Sequence, residues 1–163
     1  MVSKRQIHEE GHKRKFLAVI DGTPECGRAV LYAGRRAQKT GGALTLMFVC
    51  PPGDFQHWIG VEEIMRAEAL EEARVALDKF ARFAREVANI DPELVTREGY
   101  TREEIDKLIE EDPDIALLVL AAGDAKEGPG PLVSSIAARG SSFPIPTVVV
   151  PSGMSDAEIE AVT

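Results

Sequence analysis

IALLVLAAGDAKEGPGPLVSS, residues 115–135, combines an apolar run of strand length, a glycine-rich break and a hydroxyl pair. The run Ile115–Ala122 is apolar at every position. Such a run suits a strand buried on both faces, in the middle of a parallel sheet covered by helices. Sheets of this kind bind ligands where their strands end. Gly123, Gly128 and Gly130 follow at that end and let backbone approach a ligand closely, and Ser134–Ser135 bring hydroxyls and amides to a helix start. Two readings of the loop stand: an anion-binding loop, and a plain connection, because glycine-rich stretches without a lysine-serine ending are common turn material.

Length and charge narrow the class. A chain of 163 residues predicts one domain with a substantial core. No apolar run reaches the roughly 18 residues of a membrane span, and the net charge of -8 argues against a general nucleic-acid binder. The N-terminal MVSKRQIHEEGHKRK is basic, with no signal-peptide apolar segment after it, so the expectation is a soluble cytoplasmic protein. The expected organisation is a flexible basic leader over 1–14, an α/β domain over 15–152 and an acidic C-terminal tail over 153–163, whose Ser155–Glu158 has capping-box spacing.

Outward from residues 115–135, strand and helix signals alternate. Phe16–Ile20 ends at Asp21-Gly22-Thr23-Pro24, where Thr23 before Pro24 predicts a helix N-cap. Ala29, Val30, Ala33 and Ala37 form one face of that helix, and Arg28, Arg35, Arg36 and Lys39 the other. Ala43–Cys50 is a second strand, stopped by Pro51-Pro52. Val61, Ile64, Met65, Leu70, Ala73, Leu77, Phe80, Ala84 and Val87 then predict a long amphipathic helix with this stripe in the core. Glu93–Gly99 is a charged third strand, suited to an edge, and Thr101–Glu104 has the spacing of a capping box before Ile105, Leu108 and Ile109. Beyond the glycine loop come a short helix over Leu132–Ala138 and a fifth strand, Thr147–Val150. The alternation predicts an α/β fold with a parallel sheet, because parallel neighbours need crossover helices.

Four blocks in this order, KFLAVIDGTPE, ALTLMFV, EGYTREEIDKLIEEDPDIALLVLAAG and FPIPTVVVP, resemble the universal stress protein family over roughly residues 14–151. The resemblance implies a doubly wound sheet of order 3-2-1-4-5, and ATP or another adenine nucleotide held between the ends of strands one and four in some members. It implies a nucleotide-binding role for Asp21, with Thr23 beside it, and for Val49, Gly123, Lys126, Gly128, Gly130, Ser134 and Ser135. Asp21 keeps a second reading as an acceptor for its own turn's amides. The family's glycine pattern is altered here. Lys126 stands where a second glycine is expected, Ser134–Ser135 come early, and Pro129 and Pro131 remove two donors. Lys126 can supply a point charge to a phosphate in compensation. The resemblance further implies a homodimer through Thr147, Val148, Val149 and Val150. A nucleotide-free interaction module of the same fold is the alternative.

No catalytic set emerges, and no enzymatic activity beyond slow ATP hydrolysis is expected. His8 and His12 lack the glutamate of an HExxH pair, and Cys26 and Cys50 have no CxxC partner. Cys26 near a helix start suggests either a thiol of lowered pKa, suited to a sensor, or a packed small residue. The Phe55–Trp58 loop suggests a plug, a partner contact or an adenine cover. A response-regulator receiver would need paired acids after strand one and a lysine after the last strand; Asp21 is alone and no such lysine is present.

Overall fold

The computed structural model describes residues 4–52, 59–124 and 126–163, in which five strands and five helices alternate. In chain order these are β1 Lys15–Ile20, α1 Cys26–Thr40, β2 Ala43–Cys50, α2 Ile59–Ala88, β3 Glu93–Glu98, α3 Thr101–Glu111, β4 Ile115–Ala121, α4 Pro131–Ala138, β5 Thr147–Val150 and α5 Asp156–Val162. The Phe55–Trp58 loop lies outside the described residues. The strands form one parallel sheet of order β3-β2-β1-β4-β5. This is the doubly wound arrangement expected from the alternation and the resemblance.

Alternating side chains of β1 and β2 feed two cores. Phe16, Ala18 and Ile20 with Leu44, Leu46 and Phe48 face α1, α2 and α5, where Ala29, Ala33, Leu77, Phe80 and Ile159 close the layer. Leu17, Val19, Met47 and Val49 face α3 and α4, against Ile105, Leu108, Ile109 and Ile136. The double burial of β1, β2 and β4 explains why they are apolar at nearly every position. β3 closes one end of the sheet with an alternately exposed, charged sequence, as an edge requires.

Three expectations are corrected. The apolar stripe of α2 is core only in its second half: Ala73, Leu77, Phe80 and Ala84 are buried, whereas Val61, Ile64, Met65 and Leu70 are exposed. A helix of 30 residues is about 45 Å long, against about 26 Å for an eight-residue strand. Its first turns therefore overrun the sheet, and among the described residues Val61, Ile64 and Met65 find no core to enter. Thr23 does not cap α1, because the helix begins at Cys26 with Glu25 as its N-cap; the Thr23 hydroxyl instead donates to the Asp21 carboxylate. Thr101 is the first residue of α3 rather than a capping-box residue.

Both chain ends make contacts with the domain among the described residues. The expected tail folds into α5, opened by a complete Ser155–Glu158 capping box, with Ile159 fully buried. The arginines of α1, on the helix face opposite its apolar stripe, hold it: Arg28 pairs with Asp156 and donates to the Met154 carbonyl, Arg35 pairs with Glu160, and Arg36 reaches the Thr163 carbonyl. The expected leader is likewise tied down within its described part. Arg5 donates to the carbonyls of Ile109, Asp112 and Ile115, and His12 bonds Asp114 at 2.6 Å.

Candidate functional site

The chain leaves β1 toward β2 on one side, while β4 lies on the other, so a crevice opens at the carboxyl ends of β1 and β4. Asp21 stands at its centre, on the first turn after β1. Its Oδ1 accepts from the Thr23 amide at 2.9 Å, the Thr23 hydroxyl at 2.6 Å and the Cys26 thiol at 2.9 Å. Both readings of this residue are therefore compatible, because the turn uses Oδ1 while Oδ2 has no partner among the described residues. Burial works to raise the Asp21 pKa, but the bonds from Cys26 and Thr23 outweigh it and hold the carboxyl below its usual range. Gly22, with φ of 81°, permits the turn that aims the carboxylate into the crevice.

Cys26 is the other half of that turn. Its thiol receives the Asp21 amide at 3.4 Å while donating to the carboxylate. Burial, followed by the hydrogen bond to Asp21, pushes the thiol up to about 11. The helix start does not produce a thiolate here, and the packed reading of Cys26 is the one its 3% exposure supports.

Two clefts meet at Asp21. One, of about 330 Å³, is walled by Val19, Ile20, Val49, Pro131 and Leu132, with Thr101, Arg102 and Ser135 at its polar end. The other, of about 270 Å³, runs under the glycine loop past Thr23, Gly123, Gly128, Gly130 and Val133 and carries Glu25, Asp124 and Glu127. The fold thus brings Asp21, Thr23, Val49, Gly123, Gly128, Gly130 and Ser135 to one crevice. Lys126 and Ser134 are exposed and line neither cleft. The point charge expected from Lys126 is therefore not directed at this site.

The glycine loop binds itself. The Gly123 amide donates to the Pro129 carbonyl at 3.1 Å, the Glu127 amide to the Asp124 carbonyl at 3.1 Å and the Lys126 amide to Asp124 Oδ1 at 3.2 Å. A side chain at Gly123 would sit 3.0 Å from the Gly128 carbonyl, so glycine is what lets the loop fold back on β4. Gly128 and Gly130 have φ of 82° and 97°, which favours glycine. Their amides, with those of Leu132 and Val133 in the first turn of α4, have no acceptor among the described residues. These residues line the crevice, and Gly130, Leu132 and Val133 do so at the positive end of the α4 helix dipole.

Arg102 was not singled out from the sequence. It opens α3, and its guanidinium lies 3.4 Å from the Ser135 hydroxyl across the mouth of the larger cleft. The usable signal was topological. In a parallel sheet every following helix begins at the ligand end, so the first residues of α3 belong beside those of α4. Among the described residues no group of three or more histidines, cysteines and carboxylates could hold a metal ion. No helix among them is long and apolar enough to cross a membrane.

No curated protein sequence matches the chain significantly. Solved structures resemble it in fold. A universal stress protein from Lactobacillus plantarum aligns with a TM-score of 0.69 at 18% identity, covering 86% of this chain and 99% of that one. A universal stress protein from Archaeoglobus fulgidus in complex with dAMP gives 0.61 at 16% identity, covering 84% and 97%. An Arabidopsis thaliana protein of that family with AMP bound gives 0.55 at 12% identity, covering 85% and 91%. The sequence profile of the universal stress protein family matches residues 13–151, the whole sheet with its crossover helices, and the chain belongs to that family.

Proposed function

We propose that the chain is a cytoplasmic stress-response protein that binds an adenine nucleotide in the crevice between the ends of β1 and β4 and has no catalytic machinery of its own. The observation that carries this reading is the meeting of an apolar cleft and a cleft roofed by the glycine loop at the Asp21 carboxylate, at the sheet's switch point. The apolar cleft suits a base, with Val19, Val49 and Leu132 against its faces and Arg102 at its edge. Asp21 Oδ2 is an acceptor that suits ribose hydroxyls. The free amides of Gly130, Leu132 and Val133 suit a phosphate. The nucleotides named for the Archaeoglobus and Arabidopsis structures are consistent with a ligand of this class.

The test is to denature the protein as purified and identify released small molecules by mass spectrometry, with calorimetric titration of AMP, ADP and ATP. A near-stoichiometric adenine nucleotide, or saturable heat with one of the three, is expected. No nucleotide and no heat would overturn the reading. That result would favour the second one, a nucleotide-free homodimeric module acting through β5, which is supported by the strand's free edge, the exposed Val149 and an adjoining apolar groove of about 340 Å³.

A further inference from the structure

We propose that this site selects a nucleoside monophosphate and rejects di- and triphosphates, with Asp124 and Glu127 as the residues that exclude the longer phosphate chain. The inference rests on the nucleotide reading above and deepens it. A first phosphate beside the start of α4 meets the Gly130, Leu132 and Val133 amides, none of which has an acceptor among the described residues. A second and third phosphate must continue along the smaller cleft beneath the loop. There donors are fewer: the Gly123, Lys126 and Glu127 amides are already bonded within the loop, and Pro129 and Pro131 have none to give, while the Gly128 amide has no acceptor among the described residues.

What the longer chain meets instead is negative charge. Glu25, Asp124 and Glu127 line this cleft along with Asp21, and no lysine or arginine is among its lining residues. Glu25 Oε2 is buried with no hydrogen-bond partner among the described residues, so no donor masks it. Arg102, the cation of the crevice, lies at the far end, beside Ser135. Each added phosphate therefore brings charge toward several carboxylates with few amides to meet it, and like charges repel more strongly in a cleft than in open water. Magnesium, which a di- or triphosphate carries on its own oxygens, offsets part of this charge, so the mismatch is greatest without it.

The experiment is calorimetric titration of the full chain with AMP, ADP and ATP, with magnesium and with EDTA, repeated on an Asp124→Asn, Glu127→Gln double variant. Asparagine keeps the acceptor for the Lys126 amide, so the loop's own bond is retained. For the unmodified chain, AMP is expected to bind at least tenfold more tightly than ATP in EDTA, with ADP between and with a smaller gap in magnesium. In the double variant that gap is expected to shrink several-fold, by gain of ATP affinity and not by loss of AMP affinity. ATP binding as tightly as AMP would overturn the selectivity while leaving nucleotide binding in place. A gap unchanged in the double variant would overturn the assignment to Asp124 and Glu127. Absence of heat with every nucleotide would overturn the underlying site itself.

Discussion

Ile159→Ala tests whether the last helix is part of the folded unit. Ile159 has no solvent exposure and sits in the core layer with α1. Truncation removes three carbons, worth about 2.4 kcal/mol at roughly 0.8 kcal/mol per buried methylene. A residual cavity adds to this, for an expected loss of about 3 kcal/mol. In a domain of this size that corresponds to about 6–12 °C in Tm. The loss has a ceiling, because α5 is terminal and can detach; beyond the free energy that docks it, further damage costs nothing. A chain ending at residue 152 therefore provides the comparison, since it loses the same burial together with the Arg28, Arg35 and Arg36 contacts. Urea unfolding followed by far-ultraviolet circular dichroism measures both, with the truncated chain expected to be at least as destabilised as the point variant. A loss under about 0.5 kcal/mol for Ile159→Ala, within the range of a surface change, would refute the docking of α5.

Two further outcomes are expected. With its pKa raised to about 11, Cys26 contributes stability that is present below the unfolded thiol's pKa and lost as pH rises through the folded value. Alkylation of Cys26 in a Cys50→Ala background should accordingly stay slow at neutral pH and accelerate only in strongly alkaline buffer, Asp21→Asn should move that profile to lower pH, and a fast reaction at pH 7 would contradict the burial. If β5 pairs with its counterpart in a second chain, Val149→Lys should convert a sedimenting dimer to a monomer; a monomer already present in the unmodified protein at micromolar concentration would rule that pairing out.

The sheet was legible because its strands carry their own evidence. β1, β2 and β4 are covered on both faces, so their sequences are apolar almost throughout, and the crossovers between them leave little choice of direction. Residues whose role depends on what lies opposite were not legible. Arg28, Arg35 and Arg36 have the spacing of a solvated face, and only the return of α5 makes them partners. Val61, Ile64 and Met65 have the spacing of a core face, and only the length of the sheet leaves them bare. At the site, Asp21 and the glycines were found from strand ends and turn chemistry. Lys126 was expected to serve a phosphate because its charge suits one, but its backbone is taken up by the Asp124 turn and its side chain lies outside both clefts. Arg102 went unnoticed because nothing local distinguishes an arginine in a first helical turn from any other.

The overrun of α2 divides one continuous helix into two mutational regimes. At Leu77 or Phe80, both in the core, a polar replacement would be felt by the whole fold. At Val61, Ile64 or Met65 the same replacement removes only exposed apolar surface, and its effect would fall on solubility and on whatever touches that end of the molecule. Selection acting on foldedness thus has a firm hold on one half of the helix and almost none on the other. The first half of α2 is free to diverge in composition while the second keeps the architecture in place.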